Sequence, residues 1–136
     1  MTNYSEIASE AGPEAVRRIA ELISGRLPVK ILRAPSPAMV MMRQVDPLEN
    51  TIFNLGEMYV MECEVEVDGH PGYGCVLGPA DDRSLCGALL DAVYSAGLPI
   101  AAELEPFLEE EAKRIAAERE KESRAVATTR VSFDVQ

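Results

Sequence analysis

Long apolar runs are missing from this 136-residue chain. None approaches the roughly 18 consecutive residues a membrane-spanning helix requires, which excludes a transmembrane segment of that kind. Positive charge is also scarce. Lys and Arg number 13 against 23 Asp and Glu, for a net charge of −10. Phosphate contacts dominate nucleic-acid affinity, so nucleic acid is excluded as a general partner, although a local basic pocket stays open. The three cysteines, Cys63, Cys75 and Cys86, have no CxxC spacing, and their odd number argues against a disulfide framework. They are expected as packed hydrophobes. A single histidine, His70, has no second His or Cys near it in the sequence, so it reads as a turn residue rather than a metal ligand. No Ser–His–Asp grouping can be assembled. Gly72, Gly74 and Gly78 belong to a strand and a turn, not to a phosphate-binding loop of the GxxxxGK type.

What is present is a globular composition, 47% hydrophobic, of a length suited to one domain spanning 1–136. Its core is expected over about 13–97, with a C-terminal helical arm and strand over about 98–136. The first residues, MTNYSEIASEAG, are acidic and polar. They do not read as a secretory signal, and a cytoplasmic location is expected.

The central stretch runs from Phe53 to Gly78. From Met58 to Val67, Tyr59, Met61, Cys63, Val65 and Val67 alternate with Glu62, Glu64 and Glu66. Period two over this length predicts a strand with one buried and one wet face. Asp68-Gly69 marks a turn, and Tyr73, Cys75 and Leu77 mark the return strand. Placing these three on the face of Met61, Cys63 and Val65 calls for a type I turn with Gly69 as a left-handed bulge, rather than a two-residue turn.

Pro13 and the stripe Val16, Ile19, Ala20 and Ile23 predict a first helix over 13–24, ended by Gly25. Val29–Ala34 and Ala38–Val45 read as two strands separated by Pro35-Ser36-Pro37. Asp81 or Asp82 opens a further helix with the stripe Leu85, Ala88, Leu89, Ala92, Val93 and Ala96, stopped by Gly97. Beyond Leu98-Pro99 an apolar side of Leu104, Phe107, Leu108, Ala112, Ile115 and Ala116 fades into charge. Pro106 either kinks that helix or starts a new one. Val131, Phe133 and Val135 alternate with polar residues, predicting a terminal strand that returns to its own sheet or joins another chain's, and so an interface. The expected fold class is α+β, an antiparallel four- to five-stranded sheet covered by helices, with a charged C-terminal helical arm and terminal strand.

Glu62, Glu64 and Glu66 could serve a divalent cation or acid–base work, but exposed alternation explains them without function. Arg33 and Arg43, near the ends of the first two strands, and Asn54, Gly56 and Glu57, at a loop-to-strand junction, are the candidate ligand- or partner-binding residues. A structural role, with Asn54 in a turn and Glu57 paired to an arginine, is the alternative.

LRAP at Leu32–Pro35, VMMR at Val40–Arg43, FNLGE at Phe53–Glu57, CEVEVDGHPGYGCVLG from Cys63 to Gly78 and ALLDA at Ala88–Ala92 together resemble the PhnG family. This is the G subunit of the bacterial carbon–phosphorus lyase system. The resemblance implies work as a subunit beside H, I and J subunits, two copies of each in a core assembly, and with the L component. It implies a part in transferring methylphosphonate to the ribose of ATP with release of adenine, giving α-D-ribose 1-methylphosphonate 5-triphosphate. The I subunit would supply the nucleosidase chemistry. ATP would be the substrate of the complex, with no cofactor held by this chain alone. The alternative is a divergent, non-catalytic protein forming a homo-oligomer without nucleotide. The chain departs from the family's basic RGRxGGxG run at Arg43–Asn50, from its GRDKxHAE pattern at Gly78–Leu85 and from its FFTMVRG ending at Val131–Gln136. The resemblance therefore carries over no triphosphate contact through those segments.

Overall fold

The computed structural model describes residues 3–134, with side chains described for all of these except 42, 53–55 and 126–134. Along the chain come α1 (Tyr4–Glu10), α2 (Pro13–Arg26), β1 (Val29–Val45), β2 (Ile52–Val67), β3 (His70–Leu77), α3 (Asp81–Ala96) and α4 (Ala101–Asp134). The class is α+β. The strands form one antiparallel sheet of order β1-β2-β3, so there are three strands rather than four or five.

The difference lies at Pro35-Ser36-Pro37. These residues do not break the chain into two strands; β1 runs straight through them. β1 is an edge strand, where prolines are tolerated, and it carries one extra residue between Ile31 and Arg33 and another between Arg33 and Ser36; the second bulge takes up Pro35, while Pro37 keeps its place opposite Met61.

The β2–β3 turn also differs from expectation. Val67 pairs with His70, and Asp68 and Gly69 both have positive φ, 51° and 82°, which is a two-residue turn. Cys63 and Val65 therefore face Gly74 and Gly72, while Tyr73 and Cys75 point away from the helices. The reason is α3. A Cβ at Gly72 would stand 2.2 Å from the Ala88 carbonyl oxygen, and one at Gly74 would stand 2.1 Å from that of Ser84. The buried face of β3 has no room for side chains there, so the glycines take it and the larger residues turn outward.

The helices share one side of the sheet. Val65 and Val67 pack with Ile19 and Ile23 of α2, Leu90 and Val93 of α3, and Leu104 and Leu108 of α4, all essentially inaccessible. In α1, Ile7 and Ala8 are buried, and the Asn3 side chain accepts a bond from the Glu6 amide at 3.2 Å. α2 continues through Gly25 to Arg26. α3 starts at Asp81 as expected, without a side-chain cap, and Gly97 closes it in a left-handed conformation at φ 65°.

α4 contains Pro106 within one continuous helix. Its apolar side narrows to Leu104, Leu108 and Ile115, and every residue from Ala116 to Ala125 is exposed. The expected strand at Val131 and Phe133 is instead the end of this helix; Val135 lies outside the described residues. Glu120 pairs with Arg124 at 2.5 Å, and Arg114 pairs with Glu118 at 2.8 Å and with Glu111. Among the described residues no helix is long and apolar enough to cross a membrane.

The thiols divide by exposure. Cys63 and Cys86 are buried and Cys75 is exposed, so Cys63 and Cys75 do not share a face. Burial, then the charge of Glu64, pushes the Cys63 thiol up, and burial, then Glu111, pushes Cys86 up to about 12. A thiol reagent at pH 8 is expected to titrate Cys75 rapidly and the other two only on unfolding; three equally fast thiols would contradict this. Cys86 holds its proton to about 12 when folded, against 9.0 ordinarily. Its contribution to stability is thus complete below pH 9 and lost as pH rises through 12.

Candidate functional site

β1 and β2 are about twice as long as β3. The β2–β3 ladder begins at Val60 opposite Leu77, whereas the β1–β2 ladder continues outward from Ala38 opposite Val60 to Val45 opposite Ile52. The sheet therefore narrows to a two-stranded ribbon, closed by the loop Asp46–Thr51. In that loop the Asp46 amide bonds the Thr51 carbonyl at 2.8 Å and the Asp46 side chain accepts from the Leu48 amide at 2.9 Å.

The ribbon carries most of the candidate residues. Arg43 lies opposite Asn54, Met42 opposite Gly56, and Met41 opposite Glu57. Leu55 is the extra residue of a bulge there, and Gly56 adopts φ 145°, a conformation that excludes most side chains. Asn54 thus sits in a strand and not in a turn. Glu57 and Arg43 are exposed, and neither has an ion pair among the described residues, so the expected structural pairing of Glu57 with an arginine is not found. Register, invisible in the sequence, brings Arg43 and the FNLGE segment side by side.

Arg33 is elsewhere. It lies opposite Glu64, about 30 Å along the strand from Arg43 at the usual rise per residue. Its Nη1 donates to Glu62 Oε2 at 3.3 Å, and the Tyr73 hydroxyl donates to Glu62 Oε1 at 2.8 Å. The acceptor carboxylate holds the Tyr73 hydroxyl well above the ordinary phenol range. Tyr73 stays a donor, and Glu62 is occupied on both oxygens. This row locks the outer face of the sheet and offers no nucleophile paired with a base. Glu62, Glu64 and Glu66 do not converge on a cation: among the described residues no three His, Cys, Asp or Glu side chains are placed to hold a metal.

Asp91, in the ALLDA segment, was not singled out by sequence reasoning. Its Oδ2 accepts the Tyr73 amide at 2.9 Å, and its Oδ1 accepts the Tyr4 hydroxyl at 3.2 Å and the Ser95 hydroxyl at 3.1 Å. One carboxylate ties the free edge of β3, α1 and α3 together, and Tyr4 stacks on Tyr94 with centroids 5.0 Å apart. Asp91→Ala is expected to cost about 2–3 kcal/mol, and Asp91→Asn, which keeps one acceptor oxygen, less. Chemical denaturation measures both; an alanine variant as stable as the parent would show that water replaces the carboxylate.

Glu111 of α4, which no sequence signal marks, is 6% exposed. It accepts from the Gly12 amide at 3.4 Å and from Arg114, setting a negative charge at the start of α2. Grooves among the described residues lie on this helical side. One of about 410 Å³ runs between α1 and α4 past Ile7, Ala112 and Ile115 and is bordered by the pair Arg119–Glu6 at 2.9 Å.

A model of the family described as phosphonate metabolism protein PhnG matches residues 3–135. A curated relative, the alpha-D-ribose 1-methylphosphonate 5-triphosphate synthase subunit PhnG of Rhizobium meliloti (strain 1021), is 31% identical over 114 residues, covering 83% of this chain and 72% of its own. With a match over nearly its whole length, the chain belongs to the PhnG family of phosphonate metabolism proteins.

Proposed function

We propose that this protein is a subunit of a carbon–phosphorus lyase system complex. There it supports the transfer of methylphosphonate to the ribose of ATP, with release of adenine, to give α-D-ribose 1-methylphosphonate 5-triphosphate. The observation that carries this reading is the relative's description as a subunit of the synthase for that product. The structure is compatible with a supporting part. Arg33 and Tyr73 are hydrogen-bonded to Glu62, and the candidate residues Arg43, Gly56 and Glu57 lie on a projecting ribbon rather than in an enclosed pocket. Arg43, Asn54, Gly56 and Glu57 would contact a neighbouring subunit or its bound anion. The partners on this reading are H-, I- and J-type subunits and the L component. ATP is the complex's substrate, which puts the protein in the cytoplasm.

The test is a pull-down of the tagged protein from its native cells grown on a phosphonate as sole phosphorus source. Recovery of an I-type subunit in near equal amount supports the reading. Recovery of the protein alone, as a homo-oligomer indifferent to ATP, would replace it with the divergent, non-catalytic alternative.

A further inference from the structure

The ribbon beyond Val60 is unusual in being apolar on both faces. Residues opposite one another in a ladder share a face, so Val40 and Met58 lie on one side and Met39, Met41 and Tyr59 on the other. On the first side Val40 is 44% exposed; on the second Met39 is 61% and Tyr59 59% exposed. Further out, Ile52 is 65% and Leu48, at the tip, 94% exposed. None of these residues belongs to the hydrophobic core, whose sheet members are Cys63, Val65 and Val67.

Two strands alone are marginal in water. The outer edge of β1 from Ala38 to Val45 presents unpaired backbone groups, with its prolines confined to positions 35 and 37 and one charge, Arg43, to discourage pairing. A ribbon apolar on both sides with an open edge is built to be surrounded. Burying that edge obliges the surrounding protein to answer its N–H and C=O groups.

A second copy fits poorly. A two-fold contact uses one patch against itself and covers one face of each ribbon, leaving the other wet. It also brings together two chains that each carry a net −10. Between Met39 and Tyr59 the ribbon has one cation, Arg43, against Asp46, Glu49 and Glu57. Its complement is an apolar cleft with a rim mainly of Lys and Arg. We infer that the Met39–Tyr59 ribbon is the docking element of this protein and inserts into such a cleft on a non-identical subunit. The choice of a non-identical partner rests on the subunit reading above; the need for an occupant rests on the ribbon itself.

The test uses the full chain co-expressed with the H-, I- and J-type subunits of its own organism, with masses read by light scattering after size exclusion. Three forms are compared: the parent, Val40→Glu/Ile52→Glu on the ribbon, and Ala102→Glu/Ala117→Glu on α4, which adds the same charge at exposed positions away from it. The parent and the α4 variant are expected to join the complex. The ribbon variant is expected to bind at least about a hundredfold more weakly, with the melting midpoint of the free chain unchanged. If all three join equally, the inference is overturned and the subunit reading stands. If the free parent is a stable dimer that only the ribbon variant dissociates, the occupant is a second copy and the inference is overturned. If the parent joins nothing, the subunit reading fails and takes the inference with it.

Discussion

Gly74→Ala is expected to destabilise this protein severely. The added Cβ would lie 2.1 Å from the Ser84 carbonyl oxygen and 2.6 Å from the Ala88 amide nitrogen, both backbone atoms of α3. Neither can rotate away, so the helix must lift off β3 by an ångström or more. That would pull Leu89, Leu90 and Val93 from a core in which each is 2% exposed or less. Overpacking typically costs about 1–3 kcal/mol and more where, as here, the obstacle is backbone, a large part of the roughly 5–15 kcal/mol that holds a domain together. Gly72→Ala meets the Ala88 carbonyl oxygen at 2.2 Å and is expected to behave alike. Gly25→Ala is the contrast: nothing lies within 4 Å, the residue is helical, and a gain of about 0.5–1 kcal/mol is expected. Urea denaturation followed by circular dichroism separates the cases. A Gly74→Ala protein with the parent's midpoint would mean that α3 does not rest on β3 as described.

The second large effect concerns α4. A helix of 34 residues is held to the domain through few apolar contacts, chiefly Leu104 and Leu108, both 0% exposed, and Ile115 at 7%. Leu108→Ala is expected to cost about 2–5 kcal/mol through lost burial and the cavity left in the core cluster that Leu108 shares with Ile19, Ile23 and Leu104. Because α4 is exposed throughout from Ala116 to Ala125, loss of that anchor should also speed proteolysis of the helix before the sheet unfolds. A loss under about 1 kcal/mol, with unchanged protease sensitivity, would show that α4 is held elsewhere.

Several features of this fold were written locally. The alternation from Met58 to Val67 specified β2 because one of its faces is buried and the other wet, and the stripes of α2 and α3 are their core faces. Other features depended on neighbours that a sequence does not display. Pro35 and Pro37 stay in a strand because β1 is an edge. The turn at Asp68-Gly69 takes its two-residue form because α3 leaves no space at Gly72 and Gly74. The alternation near the C-terminus yielded to an established helix, since a strand with no partner gains nothing.

For the candidate site, Arg43 and FNLGE were recognisable as residues but not as neighbours, because only the register joins them. Arg33 belongs instead to a row that fixes the sheet's outer face. Asp91 and Glu111 escaped notice since an acidic residue on a helix ordinarily faces solvent. Only the ALLDA motif gave Asp91 any signal, and Glu111 had none.

The central claim is that this chain acts within a phosphonate-processing assembly rather than alone. The most direct measurement is adenine release from ATP and methylphosphonate by reconstituted H-, I-, J- and L-type components, with and without this protein. The account predicts formation of α-D-ribose 1-methylphosphonate 5-triphosphate that requires its addition, and no adenine from the protein by itself. Equal product without it, or adenine released by the isolated chain, would contradict the account.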